Sequence, residues 1–213
     1  MQIIINIILS YLLGSISGSM ILGKIKGVDI RTMGSGNAGG TNAFRSIGPL
    51  FALGVVMIDI VKGIISVLFI SSLSFYSYIS TDFYGTIQVL CGVAAVIGHV
   101  YPLYYNFKGG KGAGTLIGVV GVLFPESIVY ALCSWIFILI ITGFVGLGTI
   151  IASIVLVLVT YFLYPEGLSS PFGILSILMA LFIIFTHRSN IQRMLNGTEN
   201  QFKKAMIFKR IFN

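Results

Sequence analysis

GSGNAGGTNAFRSIG, residues 34–48, packs five glycines, two asparagines, two serines, a threonine and one arginine between two long apolar runs. Glycine permits positive φ and lets a ligand approach the main chain closely. Successive exposed N–H groups in such a stretch form an anion-sized nest. Ser35, Asn37, Thr41 and Asn42 add neutral hydrogen-bonding groups, and Arg45 adds a planar guanidinium suited to phosphate. A plain linker has no use for Arg45 and two asparagines, so these residues read as an anion-binding loop.

The surroundings of that loop decide the fold. The chain has 213 residues, 56% of them hydrophobic and 9% charged, with a mean hydropathy of +1.01. Soluble domains carry about 25% charged residues, so this composition defines an integral membrane protein. A net charge of +7 would point to nucleic acid in a soluble chain. Here the placement of the cations matters more, and nucleic acid is not an expected partner.

Seven apolar runs lie at residues 3–23, 47–71, 85–105, 115–124, 127–144, 147–164 and 171–186. A spanning helix needs about 20 apolar residues, and only the fourth run falls well short. Of the 13 Lys and Arg residues, 12 follow the first, third and seventh runs, and Lys62 lies inside the second. The connections after the second, fourth and sixth runs carry Asp82, Glu126 and Glu166 and no Lys or Arg. Counting the fourth run as a span, starting earlier near Lys111, puts every loop cation on one face, which the positive-inside rule makes cytoplasmic. The expectation is an all-α protein of seven transmembrane helices, N-terminus outside and C-terminus cytoplasmic. It forms a single membrane-embedded domain over 1–213 with a basic tail at 199–213. Lys24 and Lys26 follow the first run and no cation precedes it, the wrong polarity for a cleaved signal peptide.

Two features inside the runs read as structural. Gly14, Ser15, Ser17, Gly18 and Ser19 suit close helix packing. Asp59 and Lys62 stand three residues apart on one face of the second helix. An unpaired charge at mid-membrane costs about 2.5–3.5 kcal/mol, so a neutralised pair is expected there. Cys91 and Cys133 sit in apolar runs and read as small core residues.

Two more polar stretches follow odd-numbered runs and so share the cytoplasmic face. In GHVYPLYYNFKGGKGAGT, residues 98–115, Gly109, Gly110, Gly112 and Gly114 surround Lys111, with Lys108 beside them, ahead of an apolar helix. Backbone N–H groups at a helix start with a neighbouring lysine form a phosphate site, although the Walker spacing is missing. In HRSNIQRMLNGTEN, residues 187–200, His187, Asn190 and Arg193 recur at three-residue spacing, and His187 is a candidate general base. Asp29 and Glu199 are the carboxylates of this face, too few and dispersed for a metal-dependent phosphotransferase. No metal and no cofactor is expected.

These three stretches together resemble the PlsY family of bacterial membrane acyltransferases. Gly34-Ser35-Gly36-Asn37 with Gly39, Thr41, Asn42 and Arg45 carries the first motif. Gly98-His99, Pro102, Phe107 and Lys108 through Gly112, ending at Thr115, carry the second, and His187-Arg188, Asn190, Arg193, Gly197 and Glu199 the third. Ser17 stands where the family usually has proline, and Gly40 and Gly114 where it usually has alanine. The resemblance implies acyl transfer from acyl phosphate to glycerol 3-phosphate, giving lysophosphatidic acid and phosphate. It implies a bacterial cell membrane setting, a site facing the cytoplasm, and an enzyme producing acyl phosphate at the membrane as a partner. Ser35, Arg45, Lys111, His187 and Asn190 are implied as catalytic. Gly36, Asn37, Thr41, Asn42, Lys108, Gly109, Gly110, Gly112, Arg188 and Arg193 are implied as substrate-binding. Glu199 joins Asp59 and Lys62 as a structural residue. The proton acceptor stays open between His187 and a substrate phosphate oxygen. A transporter or channel for an anionic phosphorylated solute is the rival reading, since it would use the same basic loops.

Overall fold

In the computed structural model, residues 2–74 and 81–206 are described, and every regular element among them is helical. The chain divides into two compact units, Met1–Leu123 and Phe124–Asn213.

The first unit holds α1 (Gln2–Gly14), α2 (Gly18–Lys26), α3 (Gly40–Ser46), α4 (Pro49–Ile65), α5 (Thr81–Val100) and α6 (Ala113–Leu123). The first apolar run is therefore broken at residues 15–17. Small residues bring backbones together around this break. A Cβ on Gly14 would collide with the Ala95 carbonyl, and one on Gly98 with the Tyr11 carbonyl, so α1 and α5 touch main chain to main chain. Gly18 does the same for α2 on α4, 2.7 Å from the Val55 oxygen.

A break inside an apolar medium leaves carbonyls and N–H groups that water cannot satisfy. The Asp59–Lys62 pair of α4 meets that need. Lys62 Nζ donates to the carbonyls of Gly14 and Ile16 at 2.8 and 2.7 Å, and Asp59 Oδ1 accepts the Gly18 N–H at 3.3 Å. The two side chains lie 3.2 Å apart and are buried. The cation thus sits at the carbonyl end of α1 and the anion at the amide end of α2, the arrangement helix dipoles favour. α4 exposes Leu50, Leu53, Met57 and Val61 while burying Asp59 and Lys62, the inverse of a helix in water.

Half of residues 34–48 is not loop. Gly40–Ser46 forms α3, because a bare Cα at Gly40 lets it lie on Val56 of α4, where a Cβ would come within 2.5 Å. α6 begins at Ala113, two residues ahead of the apolar run and two past Lys111, and Gly112 with φ +94° sets that start.

The second unit holds α7 (Glu126–Thr142), α8 (Val145–Leu163), α9 (Pro171–Thr186) and α10 (Arg188–Leu195). Gly143, with φ +71°, turns α7 into α8. Ser170 Oγ accepts the Gly173 N–H at 2.9 Å and Pro171 occupies the first helical position, so α9 starts at a well-formed cap. α9 and α10 meet at a 52° bend at His187. Past α10 the chain returns to the α7–α8 turn, where the Phe202 N–H donates to the Gly143 carbonyl at 2.7 Å. The rest of the expected basic tail, residues 207–213 with Lys209 and Arg210, lies outside the described residues. Cys91 is buried, whereas Cys133 is exposed on α7 and not part of a core.

Gln2–Lys26, Pro49–Leu73, Phe83–Tyr105 and Val145–Leu163 are long and apolar enough to cross a bilayer, and the bent α9–α10 pair makes a fifth span if taken as one. α6, with 11 residues, and α7, with 17, are shorter than that length. At 1.5 Å per residue α6 reaches about 16 Å, half the hydrocarbon thickness. The architecture is a multi-pass, all-helical membrane protein.

Candidate functional site

In the first unit the first motif is organised by Asn42. Its buried side chain accepts the Ser35 N–H at 2.9 Å and donates to the carbonyls of Ile30 and Met33 at 3.1 and 2.9 Å. The amide expected to meet substrate is thus engaged with the loop's own backbone. Gly34 has φ +55°, and a Cβ there would collide with Asn42 Oδ1. Ser35 and Gly36 are exposed on the resulting turn. Asn37 is half-buried against Gly39, while Thr41 and Arg45 are exposed on α3, Arg45 in its last turn.

The second motif folds back on the end of α5. The Gly109 and Gly110 N–H groups donate to the Val100 and His99 carbonyls at 3.2 and 3.1 Å. A Cβ on Gly109 would collide with the His99 carbonyl, which is why the chain needs glycine there. Asn106 and Phe107 reach this turn with φ of +54° and +58°. Positive φ is unusual for a bulky residue such as phenylalanine and is held here by the surrounding turn. Lys108 is exposed, Lys111 half-buried and Gly112 buried.

The two motifs meet. A Cβ on Gly110 would lie 3.1 Å from the Ala38 carbonyl oxygen, and Gly36, Lys108 and Gly109 line one cleft of about 410 Å³ with Asp29, Arg31 and Asn106. Asp29 and Arg31 are the residues that sequence reasoning passed over. Arg31 Nη2 and Nε bond Asp29 at 2.8 and 3.2 Å, and Nη1 reaches the Tyr105 carbonyl at 3.5 Å. The Arg31 side-chain hydrogen bond holds the Asp29 carboxyl below the usual carboxylate range. The signal was present in the sequence as an Asp-Ile-Arg triplet ahead of the glycines, but a two-residue spacing predicts no pairing on a helix. A 3-10 turn over Ile30–Thr32 makes it possible.

In the second unit the third motif is a compact network. His187 closes α9, its Nδ1 2.8 Å from the Ile183 carbonyl. That contact keeps a proton on Nδ1 and leaves Nε2 as the basic nitrogen of the neutral ring. Asn190 Nδ2 donates to Glu199 Oε1 at 2.8 Å and Arg193 Nε to Glu199 Oε2 at 2.6 Å. The Glu199 side chain is 3% exposed. Asn190 also packs on Gly146 of α8, where a Cβ would lie 3.0 Å from Nδ2. Arg188 is exposed, stacks 4.4 Å over the Phe185 ring and donates to its carbonyl. Among the described residues no group of three or more His, Cys, Asp or Glu side chains is placed to hold a metal.

The class is thus an all-helical multi-pass membrane protein with glycine-rich, cation-bearing loops. The profile of the glycerol-3-phosphate acyltransferase family matches residues 4–197. The glycerol-3-phosphate acyltransferase of Halalkalibacterium halodurans is 44% identical over 198 residues, covering 90% of this chain and 91% of that one. Its Aquifex aeolicus counterpart is 36% identical, covering 95% and 100%. A crystal structure of PlsY (YgiH), an integral membrane glycerol 3-phosphate acyltransferase in its glycerol 3-phosphate form, matches with a TM-score of 0.82 and 33% identity over 99% of both chains. The lysophosphatidic acid form matches with a TM-score of 0.80 and 33% identity, covering 94% of this chain and 95% of that one. The chain belongs to the PlsY family of glycerol-3-phosphate acyltransferases.

Proposed function

We propose that this protein transfers an acyl chain from acyl phosphate to the 1-hydroxyl of glycerol 3-phosphate, releasing lysophosphatidic acid and inorganic phosphate. The observation that carries the reading is the cleft in which Gly36 of the first motif meets Lys108 and Gly109 of the second. Lys108 supplies the charge a phosphate ester requires, and Gly36 and Gly109, whose N–H groups are bonded to the Met33 and Val100 carbonyls, let it approach the main chain closely. Family membership favours this enzyme over the carrier that the basic loops alone would also fit.

In the reaction the glycerol hydroxyl oxygen attacks the acyl carbonyl carbon, the carbonyl–phosphate C–O bond breaks, and the hydroxyl proton ends on the departing phosphate. Two phosphate groups bring roughly three to four negative charges into a partly dry site. Arg45, Lys108, Lys111, Arg188 and Arg193 are the cations assigned to balance them, with Ser35, Gly36, Asn37, Thr41, Gly110 and Gly112 as hydrogen-bonding and close-approach positions. Asn190 is assigned to the developing oxyanion. His187 is assigned to position the hydroxyl through Nε2, with the substrate phosphate as final acceptor. This mechanism uses no metal or cofactor.

The proposed topology is seven spans, with α6 and α7 as short spans, the N-terminus outside and the three motifs on the cytoplasmic face of a bacterial cell membrane. The whole chain acts as one acyltransferase domain, fed by an enzyme that makes acyl phosphate at the membrane. Supplying purified protein with acyl phosphate and glycerol 3-phosphate and measuring phosphate release tests the activity. Absence of release sinks it.

A further inference from the structure

The His99 side chain is buried between the Asp59–Lys62 pair and the second glycine-rich loop. On one side its Nδ1 lies 2.9 Å from Lys62 Nζ and 3.4 Å from Asp59 Oδ1. Lys62 has only donors, so Nδ1 accepts and the ring proton of the neutral imidazole is on Nε2. On the other side Nε2 occupies the space a Cβ on Gly110 would need. The His99 carbonyl also accepts the Gly110 N–H at 3.1 Å. One residue therefore holds Gly110 by its main chain and by its ring.

The ring in turn is not free to shift. Lys62 is tied to the Gly14 and Ile16 carbonyls and Asp59 to the Gly18 N–H, so the ring leans on the capped break between α1 and α2. Gly114, at the start of α6, sits 3.2 Å from the Asp59 Cβ by its own would-be Cβ. The loop carrying Lys108 and Lys111 is thus seated on a buried polar cluster and not only on apolar contacts. The bonds of Lys62 and Asp59 to the main chain favour one geometry, because displacing them leaves buried polar groups unmet.

We infer that His99, held by Lys62, which Asp59 holds in turn, is a positioning residue for the second glycine-rich loop, setting where that loop holds the phosphate of glycerol 3-phosphate. This rests on the acyltransferase reading above. His99 is only 4% exposed and acts through Gly110, without touching substrate.

Steady-state phosphate release by purified protein in lipid vesicles tests it. A wild type that releases no phosphate overturns the acyltransferase reading itself and this inference with it. With an active wild type, His99→Gln keeps a hydrogen-bonding side chain but loses the ring under Gly110. The KM for glycerol 3-phosphate is expected to rise about tenfold or more while kcat stays within about threefold. A residue that merely stabilises the helices would lower the active fraction, so kcat would fall at unchanged KM; that pattern overturns the inference. A second measurement needs no variant of His99. The chain has two histidines, so the imidazole NMR spectrum of labelled wild type contains two sets of signals, with His187 assigned by substitution. Saturating glycerol 3-phosphate is expected to move the His99 signals, and signals that stay in place overturn the inference.

Discussion

Asn42 Oδ1 accepts the Ser35 backbone N–H at 2.9 Å, and the same side chain donates to the Met33 and Ile30 carbonyls, nine and twelve residues earlier in the chain. The exposed turn that presents Ser35 is therefore shaped from beneath by one buried amide.

Asn42→Asp is expected to be worse than its small size change implies. The carboxylate keeps an acceptor for Ser35 but sets a second oxygen against the Ile30 and Met33 carbonyls. Unsatisfied buried acceptors cost about 1–3 kcal/mol each. A lowered melting temperature together with lost phosphate release checks this. Wild-type stability in Asn42→Asp would mean the amide is not the clamp.

Glu199 joins Asn190 and Arg193, so Glu199→Ala is expected to destabilise the protein by about 1.5–3 kcal/mol, the range for hydrogen bonds to charged groups. Turnover should fall as well, because Asn190 loses the partner that orients it. Glu199→Gln keeps the shape and should retain more of both. Denaturation in detergent and phosphate release measure the two effects, and an Ala variant matching wild type would remove Glu199 from the structural role.

Two glycines of one region are expected to respond oppositely to alanine. Gly112→Ala meets φ +94° and should cost about 1–3 kcal/mol. Gly121, inside α6, has nothing within 4 Å of its would-be Cβ. Alanine there should be neutral or stabilising by up to about 1 kcal/mol. Thermal melts of the two variants side by side decide it; equal losses would show that backbone angle is not what matters.

The Asp29–Arg31 pair makes a pH prediction. Hydrogen bonding from Arg31 lowers the folded carboxyl's pKa, so the pair's contribution is complete above the unfolded value, about 3.9. It is lost as pH falls through the lowered folded value. The melting-temperature gap between wild type and Asp29→Asn should be constant from pH 6 to 7 and shrink below about pH 4. A gap that widens on acidification would contradict the pairing. The effect is small, because both side chains are partly exposed.

Arg45→Ala should abolish phosphate release while the protein still inserts and melts normally, since Arg45 is exposed at the end of a short helix. An active variant would remove the guanidinium from phosphate binding.

Composition and the placement of cations were enough to read a multi-pass membrane protein, because burying charge in lipid is costly whatever the packing. The three motifs, in order and at compatible spacing, were enough for the family. The break of the first apolar run was not legible, because Gly14 to Gly18 reads equally as a packing stripe within one helix. What decides it is Lys62 and Asp59, more than 40 residues away, supplying the partners that the broken ends need. The same holds within the site. Asn42, Asn190 and Arg193 look like substrate contacts in the sequence, since an amide or a guanidinium is chemically fit for phosphate. Only the tertiary structure shows that the Asn42 amide is bonded to Ser35, Ile30 and Met33, and that Asn190 and Arg193 are each tied to Glu199. Residue type determines what a group can bond; which of its possible partners lies within 3 Å depends on contacts between distant parts of the chain.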